Sequence, residues 1–347
     1  MNQEQNVKVA EYWGEEHKSL AKSFYGFPAI TDYLYTCISG KVARTERDWC
    51  ERWVVETYLA DKKPVAECLS LCCGFGEVER ILSKLGAFKH CTAIDLSPNA
   101  IQIATRLAQE QSINNIDFRV DDLNTLELGS EQYDLIYANG ALHHLAALER
   151  VAAHIHRALK PGGLFVCNEY VGPNYQQLSL RQQEIINSVI HLLPARLRRQ
   201  TDESYIPLAF QRSRWHRGIY RLYRAISHAA QRLITPAGKA VFHYGKLYEE
   251  HSDLIRRRDP SEGVRSHEII PVLRKVFSDL NVENYNGSVL SYALDTHFYN
   301  AFDEHRLEDR AVLDMLFHIE KTMIETGELA SDHALIIATK PLALTGL

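Results

Sequence analysis

From residue 65 onward, short apolar runs alternate with amphipathic stretches. Ala66–Cys73 is apolar except for Glu67 and Ser70 and predicts a buried strand. The spacing then predicts a helix over Glu77–Leu85, closed by Gly86, and a strand over His90–Asp95. A helix over Pro98–Gln109 follows, with Ser97 as N-cap and Pro98 at its first position. Strands are predicted at Ile116–Val120, Tyr133–Ala138 and Leu164–Val171. The helix Leu145–Leu159 between the last two is ended by Lys160-Pro161-Gly162-Gly163. Strands that are apolar throughout, separated by helices, belong to a parallel sheet covered on both faces. Right-handed crossovers make such a sheet doubly wound, with ligands beyond the C-terminal ends of its strands.

The flanks read differently. Residues 1–63 are mostly helical in pattern, most clearly over Arg44–Leu59, and Asp61-Lys62-Lys63-Pro64 breaks the run. The core 64–171 is followed by a largely helical insertion, 172–262, directly after strand five. The sheet pattern resumes in 263–347 with a helix at His267–Phe277, a strand at Val282–Tyr285, a helix at Glu308–Thr326 and a strand at Ala334–Thr339. The fold class is therefore α/β: a doubly wound sheet with an N-terminal helical extension and a helical insertion after strand five. Both additions, with Tyr12 and Trp13 in the first, are expected to cap the ligand cleft.

Composition narrows the class. With 46% hydrophobic and 24% charged residues the chain has material for a packed core, and a net charge of -5 gives no broad attraction for nucleic acid. The seven cysteines form no CxxC pair and no zinc-ligand spacing, so no metal site is expected. Most of them fall in strand patterns, as buried reduced thiols do, which favours the cytoplasm. The N-terminal residues carry no apolar signal core, and no run of eighteen apolar residues occurs.

The candidate chemistry lies at the strand ends. Strand one runs into Leu69-Ser70-Leu71-Cys72-Cys73-Gly74-Phe75-Gly76, where glycines let the backbone turn tightly against a ligand. Asp95 ends strand two, where a carboxylate accepts from both hydroxyls of a ribose. Asp122 follows strand three, in place to accept from an adenine amino group. Asn139-Gly140-Ala141-Leu142-His143-His144 follows strand four on the same rim. A dinucleotide cofactor fits Asp95 but not the glycine pattern: Glu79 stands where close helix–strand packing needs a small residue, and Glu77 would repel a pyrophosphate.

Together with Leu159-Lys160-Pro161-Gly162-Gly163-Leu164, these motifs make region 65–171 resemble the Rossmann-like core of class I S-adenosylmethionine (SAM)-dependent methyltransferases. The resemblance implies SAM as cofactor, held by Cys72, Gly74, Phe75, Gly76, Asp95, Leu96, Asp122, Leu123 and Asn139. Two positions depart from the family pattern: Ser70 stands where an acid is usual and Cys72 where glycine is usual.

A sulfonium already activates the methyl group, so alignment supplies much of the rate, and a base helps where the acceptor is a hydroxyl. His144 is the first candidate base and Glu169, at the end of strand five, the second; each has a structural reading beside the catalytic one. Tyr170, His243 and His267 are candidate acceptor contacts, and His143 reads as structural. Between His191 and Lys246 stand eleven Arg and Lys against two acids, with Trp215, Ile219, Leu222, Ile226 and Leu233 at near-helical spacing. This is a lid with a solvated basic face, a recognition surface for an anionic substrate, or an attachment point for an anionic membrane. No nucleic-acid-binding module accompanies it. The expected function is methyl transfer to a small-molecule or glycan-like acceptor, at oxygen because candidate bases are present. Methylation at nitrogen or carbon, a non-catalytic SAM-binding protein and a membrane-peripheral protein are the alternatives. The oligomeric state is left open.

Overall fold

The computed structural model describes residues 3–14, 27–41, 49–198, 259–294 and 296–342. Three helices come first: α1 (Gln3–Gly14), α2 (Pro28–Ser39) and α3 (Trp49–Thr57). The alternating core follows as β1 (Val65–Leu71), α4 (Glu77–Lys84), β2 (Phe88–Asp95), α5 (Pro98–Glu110), β3 (Ile116–Val120), β4 (Tyr133–Asn139), α6 (Leu148–Ala158) and β5 (Leu159–Tyr170). Then come α7 (Leu180–Leu192), α8 (Ile269–Val276), β6 (Asp279–Asn284), α9 (Leu290–Ala293), α10 (Thr296–Ala301), α11 (Leu307–Glu325) and β7 (His333–Thr339).

The seven strands form one sheet in the order β3-β2-β1-β4-β5-β7-β6. β1 to β5 are parallel, and β7 runs antiparallel to both β5 and β6. The order reverses between β1 and β4, which opens a crevice at their C-terminal ends. Alternate residues of each central strand enter opposite cores. Leu135 and Tyr137 pack on one face with α2, α3, α7 and α9, while Ile136 and Ala138 pack on the other with α6 and α8. Hence these strands are apolar at most of their positions. The extension and the start of the region after strand five contribute Ile30, Leu34, Val54, Ile186 and Val189 to the first core.

Element boundaries shift where backbone geometry overrides side-chain pattern. β1 stops at Leu71 because Cys72 lies at φ 52°, outside strand conformation. The helix expected from Leu145 begins at Leu148, after a 3-10 turn over Leu142–His144. β5 begins at Leu159, since the Lys-Pro-Gly-Gly turn is held to the sheet by Gly162 N–H donating to Lys340 O and Lys340 N–H to Gly163 O. β6 starts earlier than expected. It is an edge strand whose residues are all exposed or half-buried, so no apolar run marks it.

Two positions give direct tests. Gly76 (φ +70°) caps α4 in the left-handed region, and a Cβ there would stand 2.7 Å from the Phe118 ring. Gly76→Ala is expected to lower stability by about 1–3 kcal/mol in urea denaturation. Glu320 is fully buried and accepts from the N–H groups of Gly287, Val289 and Leu290. Burial nevertheless raises its pKa to about 7 against those hydrogen bonds. The folded state therefore holds this proton where the unfolded chain has released it, and stability falls as pH rises from about 4.5 to 7. Glu320→Gln is expected to flatten that slope relative to the unmutated chain, as read from melting temperatures across the window.

Candidate functional site

A cleft of about 540 Å³ opens at the crevice between β1 and β4. Of the cofactor candidates, Cys72, Gly74, Phe75, Asp95, Leu96, Asp122, Leu123 and Asn139 all line it. Gly76 does not; it faces Phe118 and supports the turn from behind. Asp95 ties the rim together, since Oδ2 accepts from Gly74 N–H (2.9 Å) and Oδ1 from Ser97 N–H (2.8 Å). Burial raises its pKa against those bonds. Asp122 accepts from the Asn124 backbone through Oδ1 (2.9 Å) and from the Asn6 side chain through Oδ2 (3.0 Å). Asn6 belongs to α1, which crosses the cleft; Ser97 Oγ donates to Ala10 O at 2.8 Å, and Val9, Ala10 and Trp13 line the cavity.

The positions that depart from the family pattern have local explanations. Ser70 Oγ donates to Glu79, and both residues are buried behind the glycine turn. An acid therefore does stand beside position 70, supplied by α4, and burial raises its pKa to about 7. Glu77, the first residue of α4, lines the cleft, where it would oppose a phosphate. Cys72 adopts the left-handed backbone that glycine tolerates best. Cys72→Gly is expected to be more stable than Cys72→Ala by up to about 1 kcal/mol, a comparison that removes the thiol from both variants and leaves the backbone term.

Beside this cleft lies a second cavity of about 640 Å³. Trp13, Glu77, Val78, Asn139, Gly140 and His144 line both. The far wall of the second is aromatic, with Trp49, Tyr170, Tyr285 and Tyr292 beside His333. Trp49 meets Tyr285 edge-on with centroids 5.4 Å apart, and Tyr285 stacks on His333 at 5.7 Å. Tyr170, a candidate acceptor contact, lines this wall and donates its hydroxyl to Pro173 O. His267 is exposed, lines neither cavity, and donates its backbone N–H to Asn174 Oδ1. His243 and the basic helical pattern Trp215–Leu233 lie outside the described residues.

The two candidate bases differ sharply. Glu169 is buried, and Oε2 accepts from the N–H groups of Ala141 (2.9 Å) and Leu142 (2.6 Å). Its Oε1 accepts from Tyr170 N–H (2.9 Å) and pairs with His143 Nδ1 (2.5 Å). Burial pushes its pKa up, but His143 and the backbone donors outweigh burial and hold the carboxylate ionised. Glu169 thus fixes the loop after β4. Burial works against a charge on His143, yet Glu169 and Glu262 raise its pKa to about 10. His144 sits at the junction of the two cavities with Nδ1 2.9 Å from Ser261 Oγ. Ser261 Oγ donates to Asp259 Oδ1 (2.5 Å), and the other Asp259 oxygen accepts from Trp13 Nε1 (2.6 Å). Burial, then the charge on His143, lowers the His144 pKa to about 4, so its ring is neutral near pH 7. Asp259, Ser261 and Glu262 carry no motif in the sequence; only folding brings them to His144.

The profile of a methyltransferase domain matches residues 69–167. A 2-phytyl-1,4-naphtoquinone methyltransferase from Nostoc sp. is 28% identical over 152 residues, covering 43% of this chain and 66% of that protein. A demethylmenaquinone methyltransferase from Leptospira interrogans is 32% identical over 100 residues, covering 28% of this chain and 40% of that one. The chain thus spans less than two thirds of the length of these curated relatives. Among solved structures, the phosphoethanolamine N-methyltransferase 2 of Haemonchus contortus, in complex with SAM, is similar at 14% identity and a TM-score of 0.47, covering 92% of this chain and 59% of that one. The core of the chain is a methyltransferase domain with a Rossmann-like sheet. This region is similar to the class I SAM-dependent methyltransferases, and SAM is the cofactor that such a domain implies.

Proposed function

We propose that the chain transfers the methyl group of SAM to a neutral, ring-bearing small molecule held in the aromatic cavity, at a hydroxyl oxygen. One observation carries this reading: the cleft lined by Gly74, Asp95 and Asp122 opens past Asn139, Gly140 and His144 into a second cavity with aromatic walls. The cofactor's sulfonium makes its methyl a ready electrophile. The protein's part is to bring the acceptor oxygen into line with it and exclude water. Trp13 and α1 close one side of the junction, and the loop that Glu169 fixes forms the other.

The cavity's charge argues against an anionic acceptor, one of the three readings of the basic segment. Glu51, Glu77, Glu169 and Glu262 line it, and no Lys or Arg does among the described residues. A phosphate or carboxylate there would meet like charge, and the His143 cation on that wall is already paired with Glu169 and Glu262. The quinone-type names of the two curated relatives support a flat, uncharged ring. The test is calorimetry with S-adenosylhomocysteine, followed by methyl transfer from labelled SAM to paired acceptors, hydroxylated bicyclic aromatics and their phosphorylated analogues. Micromolar binding of S-adenosylhomocysteine and labelling of the uncharged member are expected. No binding, or preferential labelling of the phosphorylated member, would overturn the reading.

A further inference from the structure

On the wall of the aromatic cavity His143, His144 and Glu262 place one nitrogen or oxygen each within 4.8 Å of one another. His143 Nε2 lies 3.7 Å from Glu262 Oε1, and His144 Nε2 lies 3.9 Å from Glu262 Oε2.

The tautomers follow from the hydrogen bonds on the opposite side of each ring. Glu169 takes donors from three backbone N–H groups and is an acceptor toward His143, so His143 Nδ1 carries a proton. Ser261 spends its one hydroxyl proton on Asp259, so toward His144 it accepts, and His144 Nδ1 donates. Both rings turn Nε2 toward the same carboxylate, with Nδ1 anchored to an acid directly or through a hydroxyl; His143, a cation between Glu169 and Glu262, would release its Nε2 proton when a metal binds. Metal-binding histidines are oriented in this way, by outer acceptors on the nitrogen that does not ligate.

We propose that His143 Nε2, His144 Nε2 and the Glu262 carboxylate bind a divalent first-row transition metal, Zn²⁺ in the first instance, with its open positions facing the aromatic cavity. Two imidazoles and one carboxylate suit such an ion, and three protein ligands leave room for an exogenous one. Ligand atoms at about 2.0–2.1 Å from a tetrahedral ion stand roughly 3.4 Å apart. The observed 3.7 and 3.9 Å separations run one to each Glu262 oxygen, so a small rotation of that half-buried side chain would bring the carboxylate onto the ion through both oxygens. A ligand role uses the Nε2 lone pair that a His144 general base would need, so the two roles exclude each other. The Lewis-acid function, polarising an acceptor hydroxyl, rests on the proposed function; the binding site itself does not.

The experiment uses the full chain, stripped with chelator and dialysed, then titrated with Zn²⁺ by calorimetry and with Co²⁺ by visible absorption. S-adenosylhomocysteine binding and circular dichroism are measured on the same samples. One ion per chain is expected, with a cobalt spectrum of nitrogen and oxygen ligands. Glu262→Gln should weaken binding by at least about 100-fold, and Ser261→Ala, which removes only an outer hydrogen bond, by about 10–100-fold. Absence of binding, equal affinity in Glu262→Gln, or a sulfur-to-cobalt charge-transfer band from one of the seven cysteines would each overturn the site. Should S-adenosylhomocysteine bind and Zn²⁺ not, this inference falls and the methyltransferase reading stands; the reverse pattern leaves the metal site and removes that reading.

Discussion

Asp95→Ala is expected to weaken S-adenosylhomocysteine binding by at least about 100-fold while leaving a folded protein. Asp95 is half-buried at the end of β2, and each of its oxygens accepts one backbone N–H from the cleft rim. Each oxygen retains a lone-pair direction toward the cavity, where the resemblance to the family places the two ribose hydroxyls. Hydrogen bonds to a charged acceptor contribute about 1.5–3 kcal/mol each, so losing two removes about 3 kcal/mol or more. That corresponds to a factor of about 100 or greater in Kd. The same substitution frees Gly74 and Ser97 N–H and loosens the glycine turn, which adds to the loss. Asp95→Asn is expected to recover little, since one carboxamide cannot accept from both backbone donors. Asp122→Ala is the contrast. It would accept one hydrogen bond from the ligand rather than two, so a loss of about tenfold or somewhat more is expected. Calorimetry on the three variants separates these outcomes. An Asp95→Ala protein that binds within threefold of the unmutated chain would mean that the carboxylate serves only the turn.

The cleft between β1 and β4 was legible because its lining residues follow strands, and strands buried on both faces are written as largely apolar runs. Reading where Cys73, Asp95, Val120 and Ala138 end their runs places the crevice to within two residues of the observed strand ends, without any tertiary information. The acceptor half has no such grammar. Trp49 comes from α3, Tyr170 from β5, Tyr285 follows β6, His333 begins β7, and Glu262 lies in a loop; no spacing rule connects them. Glu169 shows how far local reasoning reaches. A carboxylate at the end of an apolar strand demands a partner, and that demand is met. Which partner meets it was not readable, and the answer, three backbone N–H groups and His143, changes the residue from candidate base to scaffold. Cys72 is the converse case. The sequence marks it as unusual for the family, and only the backbone at φ 52° shows what the usual glycine would relieve.

Glu169→Ala is expected to have the largest effect on stability of any single substitution at the site, about 3–5 kcal/mol in the urea midpoint analysis. The alanine removes the acceptor for Ala141, Leu142 and Tyr170 N–H and leaves His143 buried without its ion-pair partner. Water restores these contacts only at a cost, because Glu169, Ala141 and Leu142 are all buried. Against a total stability of about 5–15 kcal/mol, such a loss would populate forms in which the loop after β4 has left the rim. Glu169→Gln should be milder. Its oxygen can still accept from Ala141 and Leu142, and its amide nitrogen can donate to His143 once that ring has lost its Nδ1 proton and kept the one on Nε2. Tyr170 N–H then faces a donor, so a residual loss of about 1–3 kcal/mol remains. The ordering Ala below Gln below Glu in midpoint is therefore the signature of a scaffold. A catalytic base would behave otherwise. Both variants would then unfold at the unmutated midpoint and bind S-adenosylhomocysteine normally, yet transfer no methyl group. That pattern would return Glu169 to the role first read from its place at the end of strand five.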